Sequence, residues 1–150
     1  MKTMLTAGGK YIGDGSTYDT TNNRCISDHE GAGVLCSFNS HWCLAMSRYA
    51  VQTVSSSQEG QSFTTTFNTT TDDTLIRVSL SWLKRSELSD FDLRVYKVSN
   101  NQLVAYSLET DENLEVVKFN PNTYGVGQYR IEVKYFALPN TSDSFSLTWY

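Results

Sequence analysis

The chain has 150 residues, of which 39% are hydrophobic, 13% aromatic and only 19% charged. That is long enough to bury a real core and too apolar for a disordered segment, a coiled coil or a polybasic nucleic-acid binder. A formal net charge of -4 offers no attraction to phosphate backbones or anionic membranes, and no apolar run approaches the ~20 residues that cross a bilayer.

Met1 to Gly9 carries one Lys and too few apolar residues for a secretory signal peptide, so the sequence reads as a cytosolic protein or as a piece of a longer one. Met4 and Leu5 form a short apolar segment that Gly8-Gly9 stops. From Tyr11 to Arg24 the residues are turn formers (Gly13, Asp14, Gly15, Asp19, Asn22, Asn23), which predicts an exposed loop. Cys25, Cys36 and Cys43 are an odd trio confined to the first third. With His41 they make four zinc-type ligands, but the paired C-x-x-C knuckles of a zinc site are missing. The spacing favours free or singly bridged thiols.

Leu35, Phe38, Trp42, Ala45, Met46 and Tyr49 recur at intervals of three and four, the apolar stripe of an amphipathic helix over about 36–52. The composition then changes. Ser55-Ser56-Ser57-Gln58-Glu59-Gly60 reads as a linker, separating a loop-and-helix unit (1–54) from a strand-rich unit (61–150).

After residue 60 the period falls to two. Ile76, Val78, Leu80 and Trp82 alternate with Arg77, Ser79 and Ser81; Phe91, Leu93 and Val95 with Asp92, Arg94 and Tyr96; Tyr129, Ile131, Val133 and Tyr135 with Arg130, Glu132 and Lys134. Gln61 to Phe67, Leu103 to Leu108, Glu115 to Phe119 and Phe145 to Trp149 add four more short strands, with Asn120-Pro121-Asn122 as a stop. About seven short strands between turns predict a mainly β chain, an antiparallel, jelly-roll-like β-sandwich preceded by a loop and one helix. Its last strand ties the C-terminus into a sheet.

The chemistry on offer is sparse. His29 and His41 both precede the strands, and no serine stands in a G-x-S-x-G elbow. Cys43 and His41, two apart on a helix, point to different faces. No P-loop, dinucleotide fingerprint or H-E-x-x-H is present. Asp90 and Asp92 flank an inward Phe at the start of a strand and supply the hard oxygens calcium takes; the alternative is that Asp90 caps a turn while Asp92 bonds loop N–H groups. Asp72-Asp73 reads as a solvated turn. Asn68-Thr69-Thr70 and Asn140-Thr141-Ser142 match the glycosylation sequon, a pattern that chance supplies often.

Three segments carry a family likeness. Thr74-Leu-Ile-Arg-Val-Ser-Leu-Ser-Trp-Leu83, Asp90-Phe-Asp-Leu-Arg-Val-Tyr96 and Gly127-Gln-Tyr-Arg-Ile-Glu-Val133 resemble the strands of the pre-peptidase C-terminal type of β-sandwich, the non-catalytic domain that follows bacterial peptidase domains. In the first third, Lys2-Thr-Met-Leu-Thr-Ala7 is similar to the helix end after the catalytic serine of subtilisin-like proteases (subtilases). Asp28-His-Glu-Gly-Ala-Gly-Val34 is similar to that family's closing glycine motif, although Cys36 and Ser37 stand where the family places a small acidic or amide residue and an alanine. No position matches the family's catalytic Asp, His and Gly-Thr-Ser segments. The resemblance therefore implies a non-catalytic C-terminal region of a secreted or cell-surface serine protease, with calcium at Asp90 and Asp92. It would work with the parent's catalytic domain and with protein substrate or the cell surface. The 36–52 stripe, made to pack on that catalytic domain, would otherwise dock onto its own sandwich or pair with a second copy, the pair being the favoured exit. Two other readings compete: an adhesive or carbohydrate-binding module using outward Tyr96, Tyr106 and Phe136, and a small cytosolic enzyme using His29 or His41.

Overall fold

The computed structural model describes residues 43, 45–83 and 87–150. The described residues form eight strands, seven where strands were expected and one, β1, before them: β1 (Tyr49–Ser55), β2 (Ser62–Thr69), β3 (Ile76–Trp82), β4 (Asp90–Lys97), β5 (Gln102–Ser107), β6 (Leu114–Phe119), β7 (Gly127–Ala137) and β8 (Ser142–Trp149). They pair antiparallel into two four-stranded sheets. The first has the order β1-β8-β3-β6 and the second β2-β7-β4-β5. That order, with the chain crossing repeatedly between sheets, is a jelly roll, the sandwich expected from the sequence.

The alternating apolar residues meet between the sheets. Val54, Ile76, Val78, Leu80, Val117, Leu147 and Trp149 from the first face Phe67, Leu93, Val95, Ile131 and Val133 from the second. Aromatic rings fill the two ends of this layer. Phe91 lies 5.2 Å from Trp82 and 5.4 Å from Phe145, edge-on or tilted; at the other end Phe119 and Tyr129 are 4.9 Å apart. Trp82 satisfies its indole N–H by donating to the Ser89 carbonyl at 2.7 Å. Burying such side chains is favourable by about 25 cal/mol per Å² of apolar surface, the main force holding the sheets together.

Two expectations are corrected. Of the helix expected over 36–52, residues 36–42 and 44 lie outside the described residues, and Cys43 and Ala45 are helical. From Tyr49 onward, however, the chain is strand β1. Ser47 takes a φ of 53° and ends the helical turn. Beyond it, Val51, Thr53 and Val54 are β-branched, and all seven residues of β1 find partners on the free edge of β8. The expected linker over 55–60 is a tight crossover between the two sheets. Ser55 closes β1 and donates its backbone N–H to Gln58 Oε1 at 2.9 Å. Ser56–Gln58 is a single 3-10 turn, and Gly60, at φ +82°, donates to the Tyr135 carbonyl at 2.8 Å. The sandwich thus takes in Tyr49–Ser55 as well. A further short turn, α1 (Pro121–Tyr124), follows β6, with Asn120 Oδ1 accepting the Asn122 N–H at 2.9 Å.

Candidate binding face and acidic sites

Because Leu93, Val95, Ile131 and Val133 point inward, their neighbours in β4 and β7 form an outer face on the second sheet. Cross-strand register arranges that face in rungs. Tyr106, Arg94, Glu132 and Thr64 make one; Leu103, Tyr96, Arg130 and Thr66 make the next; Asp92 and Lys134 belong to a third. Arg94 bridges rungs and strands: Nη2 donates to Asp92 Oδ2 at 2.6 Å and Nη1 lies 3.7 Å from Glu132 Oε1. The Arg130 guanidinium sits 4.7 Å from the centre of the Tyr96 ring and donates to Asn101 Oδ1 at 2.9 Å. Leu103 and Tyr106 are exposed beside them.

Of the three outward aromatics expected, Tyr96 and Tyr106 therefore share a patch. Phe136 is exposed but lies six residues along β7 from Arg130, about 20 Å away at the strand rise.

Asp90 and Asp92 sit where β4 begins, both buried. Among the described residues, Asp90 caps no turn and Asp92 accepts from no loop N–H. Asp92 is held by Arg94, yet burial still pushes its carboxyl up from the ordinary range. Asp90 is pushed up to about 6, first by burial and then by the charges of Asp92 and Asp111, and its Oδ1 has no hydrogen-bond partner among the described residues. Calcium takes six to eight oxygens. Here one of two carboxylates is committed to a guanidinium, and among the described residues no group of three or more His, Cys, Asp or Glu is gathered. The described residues alone do not fit a calcium site.

A third carboxylate escaped the sequence reading. Glu115 alternates with Val117 and Phe119 and so points into the sandwich, fully buried. Its Oε1 accepts the Glu109 N–H at 2.9 Å, while Oε2 has no partner among the described residues. Burial pushes its carboxyl up to about 8, against the opposing pull of its bonds to Ser107 and Glu109. In β6 either alternate set has two apolar residues of three, which is why the sequence did not single Glu115 out.

The remaining sequence candidates fall as follows. Asp73 is a turn residue, its Oδ2 accepting the Thr70 N–H at 2.7 Å. Asn140 is buried, donating to the Glu87 carbonyl and to Asp143 Oδ2, each at 3.0 Å, so its amide is a structural donor in the folded domain; Ser89 donates to the same Asp143 oxygen. Asn68 is exposed on β2. Cys43 is a free, buried thiol raised by desolvation; Cys25, Cys36, His29 and His41 lie outside the described residues.

No family model matches this chain, and no curated protein is similar to it. Among solved structures it is similar to part of BtGH115A, a family GH115 4-O-methyl-alpha-glucuronidase with specificity for decorated arabinogalactans, at a TM-score of 0.41 and 9% identity over 67% of this chain and 14% of that one. It is also similar to the infectious bursal disease virus VP2 subviral particle, at a TM-score of 0.29 and 13% identity over 68% of this chain and 31% of that one. The chain thus spans less than a third of either protein.

Proposed function

We propose that this chain is the non-catalytic C-terminal region of a secreted or cell-surface subtilisin-like serine protease, and that its sandwich holds protein substrate or surface for the parent enzyme. The three segments that carry the likeness are β3, β4 and β7, all of them interior strands that build the core. The observation that carries a binding role is the outer face of the second sheet. Tyr96, Leu103 and Tyr106 stand on a rigid sheet, set among Arg94, Arg130 and Glu132, the aromatic-and-arginine composition that protein interfaces favour. The expected experiment is retention of the pure chain on immobilised denatured casein without cleavage, with retention lost in Tyr96→Ser and Tyr106→Ser. Cleavage that survives purification controls overturns the non-catalytic reading.

Tyr96 and Tyr106, on neighbouring rungs of one face, also favour a second reading, an adhesive or carbohydrate-binding module, because aromatic rings suit sugar faces as well as peptides. Retention on polysaccharide in place of casein would select it.

A further inference from the structure

The two outer faces of the sandwich differ in a way their own strands do not explain. On the second sheet, Thr64, Thr66, Arg130 and Glu132 are exposed or half-buried, as on a solvated face. On the first sheet, Arg77, Ser79, Ser81, Val116 and Thr148 are all buried, although each alternates with a core residue and points away from the core. Ser79 and Thr148 stand opposite each other on β3 and β8. They are 0% and 2% exposed, and neither hydroxyl has a hydrogen-bond partner among the described residues. Such short side chains cannot shield one another. A serine on the outside of a sheet loses its water only beneath another layer.

The face has the shape for one. One rung runs Tyr49, Thr148, Ser79, Val116, and the next Val51, Ser146, Ser81, Leu114. A floor of small hydroxyl side chains on β8 and β3 lies between larger residues on β1 and β6. From β1 to β6 is three strand spacings, about 14 Å, against about 10–12 Å for a helix with its side chains.

We propose that the layer is the chain's own segment 35–42, its Leu35, Phe38 and Trp42 stripe laid on the floor formed by Ser79, Ser81 and Thr148. The point at which the described chain begins carries the assignment. Cys43 is wholly buried and its thiol donates to the Trp149 carbonyl at 3.5 Å; Arg48 donates its N–H to the Cys43 carbonyl and accepts that of Trp149. Cys43 therefore stands at the Thr148 end of this face, and 42 residues of the sequence precede it. Among them is an apolar stripe at helical spacing, whose burial needs a sheet or helix surface. The inference does not rest on the protease reading, which would lay the same stripe on a catalytic domain.

Thiol labelling of the full chain tests it, read by peptide mass so that native cysteines are counted apart. Ser79→Cys is close to isosteric and Thr64→Cys is its counterpart on the solvated face. Ser79→Cys is expected to label roughly 100-fold more slowly than Thr64→Cys at every protein concentration. Adding Trp42→Glu should bring the rate up to that of Thr64→Cys while cooperative unfolding persists. Equal rates in the two single variants overturn the proposal. So does protection that disappears on dilution, which assigns the cover to a second copy. Protection untouched by both Trp42→Glu and Phe38→Glu overturns it as well. Should Ser79→Cys fail to fold, Ser81→Cys gives the same readings.

Discussion

The ammonium of Lys97 lies 4.5 Å from the centre of the Tyr129 ring, and both side chains end on the same carbonyl, that of Gly125. Lys97 is buried and also donates to the Val126 carbonyl at 2.6 Å, so its charge is met by a π-face and two carbonyl dipoles. Gly127 closes this arrangement. Its φ is +128°, and a Cβ there would stand 3.2 Å from the Lys97 nitrogen. Gly127→Ala is expected to destabilise the fold by about 1–3 kcal/mol through backbone strain alone. Tyr129→Phe should cost about 1 kcal/mol for the lost bond to Gly125. Chemical denaturation of both variants checks the order.

Glu115 sets a pH dependence. Its carboxyl titrates near 8 in the fold and near 4.5 in the unfolded chain, so the native state holds the extra proton between those values. Its contribution to stability is complete below about pH 4.5 and is lost as pH rises through about 8. Denaturation midpoints should fall from pH 6 to pH 9, by about 1–3 kcal/mol, and Glu115→Gln should flatten that slope. A wild-type curve that rises over this range would show that Glu115 is not protonated in the interior.

Asp90 acts in the same direction over a lower window. Its carboxyl, raised to about 6, favours the fold below pH 3.8 and withdraws that support as pH passes 6. Asp90→Asn should therefore raise the melting temperature near neutral pH, with or without calcium. A calcium-dependent rise in the wild type that disappears in Asp90→Asn would restore the metal reading of this pair.

Leu93 is fully buried between the sheets, whereas Ser81 lies on the opposite side of its own sheet, its hydroxyl 3.3 Å from that of Ser146. Leu93→Ala should cost about 2–5 kcal/mol and Ser81→Ala almost nothing. Ser79→Ala, which removes a buried hydroxyl with no partner, should be neutral or stabilising. Equal losses at residues 93 and 81 would mean that the inward face had been misassigned.

The strands that were legible in the sequence are those whose inward residues are uniformly apolar, such as Ile76-Val78-Leu80-Trp82. Strand β1 was not, because Tyr49 completes a three-and-four stripe begun at Leu35, and the edge that makes it a strand is supplied by β8, almost 100 residues later. The binding face was half legible. Tyr96 and Tyr106 could be named as outward residues, but their shared patch with Arg94 and Arg130 depends on the register of β4 with β5 and β7. Glu115 shows the remaining limit, since alternation alone does not say which of two similar faces is buried.

The pairing of β1 with β8 has a mechanical consequence. Tyr49 stands opposite Thr148, so β1 begins and β8 ends at one corner, on adjacent antiparallel strands. Tension applied between those two points does not shear the ladder as a whole. It opens the hydrogen bonds one pair at a time, from Tyr49 towards Ser55, peeling off the edge strand while β3 still holds β8 from the other side. Held by that corner, the domain yields to a weak pull by shedding β1 first, whereas a load across β3 and β4 would meet the full resistance of the core.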